Sequence, residues 1–152
     1  MFNDRWEILI DLYKKETDRN QYLLTSSCHP SHVTTNIPFS LALRIVRICS
    51  LPETRDKRLI ELKQMLGDRG YKNNIINNAI EKAKCIPRSK ALEKVTKKKQ
   101  GTRPVFAITF DPRLPSIPQI VNKHYRTMVA DPHLAEAFPL PPLIAYKRQK
   151  NI

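Results

Sequence analysis

The chain has 152 residues, a length typical of one ordinary domain or of one domain with a tail. Its 27 Lys and Arg residues outnumber its 14 Asp and Glu residues, so the formal net charge is +13. This excess favours a polyanionic partner, with nucleic acid first and an anionic membrane surface second. The alternative is a solvated basic surface without a specific partner.

The cysteines and the hydropathy exclude several other classes. Cys28, Cys49 and Cys85 are odd in number and form no CxxC pair, so we expect a reducing, intracellular compartment, the nucleus included, and no disulfide framework. No apolar stretch approaches the ~20 residues that span a bilayer. We therefore expect the chain not to be embedded in a membrane, and of the two polyanions we expect nucleic acid, not a membrane, as the partner.

The first predicted element is a β-hairpin within residues 1–27. The stretch WEILIDLYKKETDRNQYLL contains two apolar runs that are separated by the polar, turn-like KETDRN. A lone hairpin is marginal in water, so its strands are expected to lie on other structure. The following stretch, TSSCHPSHVTTN, has the composition of a loop.

Three amphipathic helices are predicted within residues 34–86. The first, in IPFSLALRIVRICS, begins near Pro38, the second is PETRDKRLIELKQML, and the third runs from about Lys72 to Ala83 after the tight connection GDRGY. This arrangement indicates a helix-turn-helix-like bundle, although a generic three-helix bundle fits the periodicity equally well. The predicted core consists of Leu41, Ala42, Ile45, Ile48, Cys49, Leu59, Leu62, Leu66, Ile75, Ile76, Ala79, Ile80 and Ala83.

Residues 87–103 are predicted to form a basic linker. Beyond it, PVFAITF predicts a strand, IPQIVNKHYRTMVA a helix, LAEAF a short helix, and Leu143 to Tyr146 a last strand. Residues 104–152 are thus predicted to be a small α/β segment. The predicted fold class is α+β and mainly helical, with the three-helix bundle flanked by the hairpin and this segment.

Few residues have a pattern that predicts catalysis. Cys28, His32 and Cys49 would be one candidate set of metal ligands, but the second ligand pair that is typical of zinc sites is absent, and His29 has the same weak context. Asp111 and Asp131 each precede a proline and are predicted to be turn or cap residues. No phosphate-binding glycine loop, GxSxG or HExxH motif occurs. We expect the isolated chain to hold no cofactor or metal and not to be an enzyme, with a metal enzyme as the third alternative.

Basic side chains on the helices are the candidate binding residues. Arg44 and Arg47 share a helix face with Ser40, opposite the apolar stripe, and would present a forked edge of donors to a phosphate backbone. The alternative for any one arginine is a surface ion pair with Glu53 or Asp56. The predicted nucleic-acid-binding residues are Ser40, Arg44, Arg47, Arg55, Arg58, Arg69, Tyr71, Lys72, Lys97, Lys98 and Lys99.

Several blocks of the chain resemble a known family in order and spacing. DLYKKETDRNQYL, SCHPSH, IPFSLALRIVRICS, RLIELKQMLGDRGY, ITFDPRLPSIPQIVNKHY and AYKRQKNI resemble the region downstream of the polymerase palm in Penelope-like retroelement reverse transcriptases, a region also known as an animal helix-turn-helix domain. The resemblance extends over nearly the whole chain. One departure is Glu16, which stands where the family usually has proline in KPTD.

The resemblance implies a role for each part of the chain. It implies that residues 1–27 are the last palm hairpin, that residues 34–86 are the thumb that grips a primer–template duplex, and that the rest leads toward a GIY-YIG endonuclease. The metal-binding aspartates of the palm and the GIY-YIG motif do not occur in this sequence. We therefore expect a fragment of the parent element, separated from its palm and endonuclease domains, that binds duplex DNA or an RNA–DNA hybrid without catalysis. The alternative is a structural or protein-interaction remnant that has no specific nucleic-acid function.

Overall fold

The structure, a computed structural model, describes residues 8–93 and 103–147. These residues form two units, one of residues 8–27 and 31–93 and the other of residues 28–30 and 103–147. The architecture is mainly helical with a small sheet, which agrees with the predicted α+β class. The elements are α1 (Ser31–Ile48), α2 (Pro52–Gly67), α3 (Asn73–Lys84), α4 (Arg88–Leu92), β1 (Val105–Thr109), α5 (Ile117–Met128), α6 (Pro132–Ala137) and β2 (Leu143–Lys147).

Helix α1 starts at Ser31, so the predicted start near Pro38 is wrong, and of the predicted loop only residues 25–30 lie outside the helix. Proline inside a helix removes the hydrogen bond to the carbonyl four residues earlier, which is why the pattern predicted a start there. In α1 the Pro38 ring is fully buried. The hydroxyl groups of Thr34 and Thr35 donate to the Ser31 carbonyl at 3.0 and 2.9 Å. Burial of the ring in the core offsets the lost backbone bond, and the helix continues through the proline.

Helices α2 and α3 form where the sequence predicts them. Leu51 is extended, and Pro52 then occupies the first helical position, where its missing N–H has no intrahelical partner to lose. Gly70 in the connection has φ +82°, and a Cβ there would lie 2.9 Å from the Thr25 hydroxyl oxygen. The Tyr71 N–H then donates to the Leu66 carbonyl at 3.1 Å. This turn requires glycine at position 70.

The first three helices share one hydrophobic core, and α1 packs mainly on α3. The predicted residues form most of it, while Leu41, Ile48, Ile75 and Ile80 are only half-buried. Helix α4 lies within the predicted linker and adds Ala91 to the core. The buried cluster consists of Ala42, Ile45, Val46, Cys49, Leu59, Leu62, Leu66, Tyr71, Ile76, Ala83 and Ala91.

The described part of the predicted hairpin, residues 8–27, contains no pair of β-strands. A turn is present where it was predicted, since the Asp18 N–H donates to the Lys15 carbonyl at 3.0 Å. Within residues 8–27 the two arms form no β-ladder, and both contact the helices. Leu12 and Tyr22 pack on the core, and Ile10 exchanges two hydrogen bonds with Ser50. Trp6 and the rest of residues 1–7 lie outside the described residues.

The second unit contains the predicted strand, two helices and last strand. Strands β1 and β2 are parallel, with Val105 opposite Leu143 and Thr109 opposite Lys147. Asp131 caps α6 by accepting hydrogen bonds from the next two N–H groups that follow Pro132, which confirms its prediction as a cap residue. Helices α5 and α6 contain no buried residue.

We predict that Ile45→Ala lowers the free energy of unfolding of the bundle by about 2–5 kcal/mol. Ile45 is 3% exposed, so the substitution opens a cavity between α1 and its neighbours. Urea unfolding followed by circular dichroism measures the change. Ile60→Ala is the matched control, because Ile60 is 71% exposed and its loss is expected to change stability by less than about 0.5 kcal/mol. Equal effects of the two substitutions would contradict this description of the core.

Candidate nucleic-acid interface

The outer face of α1 brings Ser40, Arg44 and Arg47 together, as their spacing predicts. All three are exposed, while Ala42 and Ile45 on the opposite face are buried. The Ser40 hydroxyl donates to the carbonyl of residue 37 in its own helix at 3.0 Å. Among the described residues, neither arginine side chain makes a direct hydrogen bond or ion pair. The face therefore holds two guanidinium groups whose donors are available to a ligand.

A shallow cleft of about 70 Å³ lies beside Arg44. It is lined by residues of α1 and α2 and by residues of the stretch 8–27, which we call the N-terminal segment. The lining residues of this segment include Asp18 and Tyr22. Burial raises the pKa of Tyr22, Asp18 raises it further, and the positive charge of Arg44 opposes both effects. Arg44 thus stands at the border between the N-terminal segment and the open face of α1.

Arg58 was predicted to bind nucleic acid, but its guanidinium group is held in ion pairs. It donates to Asp11 through Nε at 3.1 Å and through a terminal nitrogen at 2.5 Å, and to Glu61 at 3.0 Å. Hydrogen bonds from Arg58 hold the pKa of Asp11 at about 2, and both carboxylates raise the pKa of Arg58. Because its donors are already paired with carboxylates, a phosphate would have to displace one of them.

Tyr71 is the second predicted residue that the structure removes from the surface. It is 5% exposed, and its hydroxyl donates to the Leu23 carbonyl at 3.0 Å. Burial raises the pKa of this phenol. Its aromatic ring lies in the core. Its hydroxyl group connects the N-terminal segment to the turn between α2 and α3. Tyr71 is thus placed to stabilise the bundle and not to stack on a base.

The remaining residues that were predicted to bind nucleic acid differ in solvent exposure. Lys72 is exposed at the start of α3 and lines an open cleft of about 250 Å³ with Thr34 and Thr35 of α1. Arg69 is half-buried, and one of its terminal nitrogens lies 3.5 Å from the Asn20 carbonyl. The side chain of Arg55 is 28% exposed and lies 3.9 Å from the carboxylate of residue 56. Lys97, Lys98 and Lys99 lie outside the described residues.

The described residues contain no group of three or more His, Cys, Asp or Glu side chains that could hold a metal ion. Cys49, which was considered as a metal ligand together with Cys28 and His32, is buried. Its thiol lies 3.5 Å from a side-chain oxygen of Asp11. Within the same part of the chain, no helix has the length and apolar character needed to cross a membrane.

Comparison with known proteins identifies one related domain. Residues 21–81 match the sequence profile of the animal helix-turn-helix domain. This stretch includes α1, α2, the glycine turn and most of α3, which are the elements that share the core. No curated protein and no solved structure matches the chain.

Sequence reasoning missed the carboxylates that hold Arg58. Glu61 is three residues away on the same helix, a spacing at which opposite charges commonly pair, and this signal was present in the sequence. Asp11 is 47 residues away, and no local pattern connects it to Arg58. The number of basic side chains in a sequence therefore overstates the number that a ligand meets.

We predict that Asp11→Asn lowers the stability of the bundle by up to about 1 kcal/mol at pH 6, because the variant loses a charged partner of Arg58. The magnitude is small because the Asp11 side chain is 41% exposed. The pKa is about 2 in the folded chain against 3.8 for an ordinary Asp, so the stabilisation is present above pH 3.8 and is lost as the pH falls through 2. Urea unfolding of both proteins from pH 6 to pH 2 should show the difference shrinking.

The control for this pH series is Glu16→Gln, which removes an exposed carboxylate of the same segment. This variant is expected to behave like the parent chain across the series. A pH-independent difference between the parent chain and Asp11→Asn would show that the ion pair does not stabilise the bundle.

Proposed function

We propose that this chain binds duplex nucleic acid through phosphate contacts made by the outer face of α1 and by the turn that leads into α3. The observation that carries the proposal is the exposed arginine pair Arg44 and Arg47, which projects from a helix whose opposite face forms the core. The similarity of residues 21–81 to a helix-turn-helix domain and the net charge of +13 support the same partner.

Phosphate contacts of this kind supply affinity without sequence information. Each Lys or Arg that neutralises a phosphate releases condensed counterions, so binding weakens with salt in proportion to the number of neutralised phosphates. A guanidinium donates two parallel hydrogen bonds to phosphate oxygens, and it is more weakly hydrated than an ammonium group. Lys72, exposed immediately before the first residue of α3, is a separate positive charge at the turn, beside Thr34 and Thr35 of α1.

The proposed surface is narrower than the set of residues that the sequence predicts. It contains Ser40, Arg44 and Arg47 of α1 and Lys72 before α3, whereas Arg55 and Arg69 are less accessible because both are half-buried. Arg58 and Tyr71 are excluded because an ion pair holds the first and the core holds the second.

We further propose that the chain is the thumb region of a Penelope-like reverse transcriptase. The support for this origin is the order and spacing of the sequence blocks described above. A thumb that grips a primer–template duplex needs one helix face that packs and one that contacts phosphates. The arrangement of α1 satisfies both needs.

The rival proposal is a structural or protein-interaction remnant. In such a remnant Arg44 and Arg47 would be solvated surface charges, which are common in basic proteins. The two proposals differ in salt dependence, since only phosphate contacts give log K a slope of about −0.9 per neutralised phosphate on B-DNA.

We predict that replacing Arg44 and Arg47 together by Ala weakens binding to all duplexes by a similar factor and reduces the salt slope by about one unit for each phosphate that is no longer neutralised. Thermal stability should stay nearly unchanged, because both side chains are exposed. Fluorescence anisotropy with unrelated duplexes at several salt concentrations measures the affinities, and circular dichroism measures the melting temperature.

The control is Lys57→Ala with Lys63→Ala, which removes the same charge from exposed positions of α2 outside the proposed surface. We expect this variant to keep most of the affinity and nearly all of the salt slope. Equal losses in the two double variants would mean that net charge alone drives binding. A double arginine variant that binds normally but melts early would assign the arginines a structural role.

We also predict that the isolated chain neither extends a primer nor nicks DNA in the presence of Mg²⁺ or Mn²⁺. Both reactions need carboxylates that hold the catalytic metal, and the sequence contains neither the paired palm aspartates nor a GIY-YIG motif. Primer-extension and plasmid-nicking assays test this. Activity that copurifies with the chain and disappears on substitution of one of its acidic residues would overturn the prediction.

A further inference from the structure

The guanidinium group of Arg58 meets two carboxylates on two different edges. The two oxygens of Asp11 accept from Nε at 3.1 Å and from one terminal nitrogen at 2.5 Å. Glu61 accepts from the other terminal nitrogen at 3.0 Å. The edge formed by Nε and the first terminal nitrogen is therefore held by both oxygens of a single carboxylate. This edge is also the one that an arginine presents to two oxygens of a phosphate.

The edge lies beside the surface that we propose for phosphate contacts. Arg58 of α2 and Arg44 of α1 line the same shallow cleft of about 70 Å³. Lys14 of the N-terminal segment lines it as well. Because both arginine side chains border one small cleft, a strand whose phosphates contact Arg44 would pass close to Arg58.

The part of the N-terminal segment that carries Asp11 is held to the bundle by few contacts. Ile10 exchanges two hydrogen bonds with Ser50, and Leu12 packs on the core. The next seven residues, 13–19, are all exposed. The Asp11 side chain is itself 41% exposed. The pair with Arg58 thus lies at the surface, where a competing anion can reach it.

Stability gives Asp11 a small role at this position. An exposed ion pair contributes little to the free energy of unfolding. Arg58 also has a carboxylate partner without Asp11, because Glu61 lies three residues away on the same helix. The larger effect of Asp11 is on access, since Glu61 alone would leave the edge of two donors open to a ligand.

We propose that Asp11 occupies a phosphate-binding edge of Arg58 and thereby masks a further phosphate contact of this chain. The inference rests on the function proposed above and adds a device that regulates it. Asp11 brings the negative charge and the paired oxygens that a phosphate would bring, so the N-terminal segment and a duplex compete for the same donors. Arg58 lies outside the contact surface while Asp11 holds it, and loss of Asp11 adds it to that surface beside Arg44.

The test titrates one DNA duplex of mixed sequence with the full 152-residue chain and its variants, by anisotropy at several salt concentrations. Asp11→Asn keeps the size of the side chain and removes its charge. We expect this variant to bind about twofold to fivefold more tightly at low salt, the range that corresponds to an exposed ion pair. Its salt slope should be steeper by about one unit, because Arg58 then neutralises one more phosphate.

The matched control is Glu16→Gln, which removes the same charge from an exposed position of the same segment. It should bind within about 1.5-fold of the parent chain and with the same salt slope, because an exposed charge away from the contact surface is screened. Circular dichroism checks that each variant is folded. Asp11→Ser is measured in parallel as a second neutral variant, because an asparagine oxygen can still accept from Arg58.

The decisive comparison removes Arg58 in the presence and in the absence of Asp11. In the parent chain, Arg58→Gln should change affinity no more than Lys57→Gln, which removes the exposed charge next to it. In the Asp11→Asn chain, Arg58→Gln should return both the affinity and the salt slope to the parent values. This result would assign the gain to Arg58 and not to the loss of a carboxylate that repels phosphate.

The outcomes separate the masking by Asp11 from the proposed function. Neutral variants of Asp11 that bind like Glu16→Gln, or a gain that survives Arg58→Gln, would overturn the masking alone. Equal losses from Arg58→Gln with and without Asp11 would overturn it too, because Arg58 would then contact phosphate in the parent chain. Absence of salt-dependent binding by every variant would overturn both. Binding by Asp11→Asn that needs Arg58 but not Arg44 or Arg47 would overturn the proposed surface on α1 and support the masking.

Discussion

The packing of α1 on α3 is the contact on which the rest of the bundle depends. Ala42 and Ile45 on α1 and Ile76, Ala79 and Ala83 on α3 are buried, and these two helices share the most extensive contact in the bundle. The contact fixes the rotation of both helices. Because the side of α1 that carries Ala42 and Ile45 faces inward, Arg44 and Arg47 on its other side are exposed.

The N-terminal segment pairs with one arginine of the bundle and leaves another unpaired. It packs along the helices so that its Asp11 pairs with Arg58, while Arg44 beside it keeps its donors. A carboxylate within the fold and a phosphate of a ligand require the same forked geometry. An arginine that the fold has already paired therefore contributes stability, and an unpaired one is available for binding. The net charge of +13 counts both kinds together.

Periodicity predicted α2, α3 and most of the core, because burial of one face leaves a regular trace in the sequence. It failed where a local rule competed with tertiary packing. Pro38 is a stop signal in an isolated helix, but burial of its ring overrides that signal. The two arms of the predicted hairpin have the composition of strands, yet Leu12 and Tyr22 pack on the helical core and no strand pair forms within residues 8–27. The link between Asp11 and Arg58 has no local signature, so it could not be predicted from the sequence.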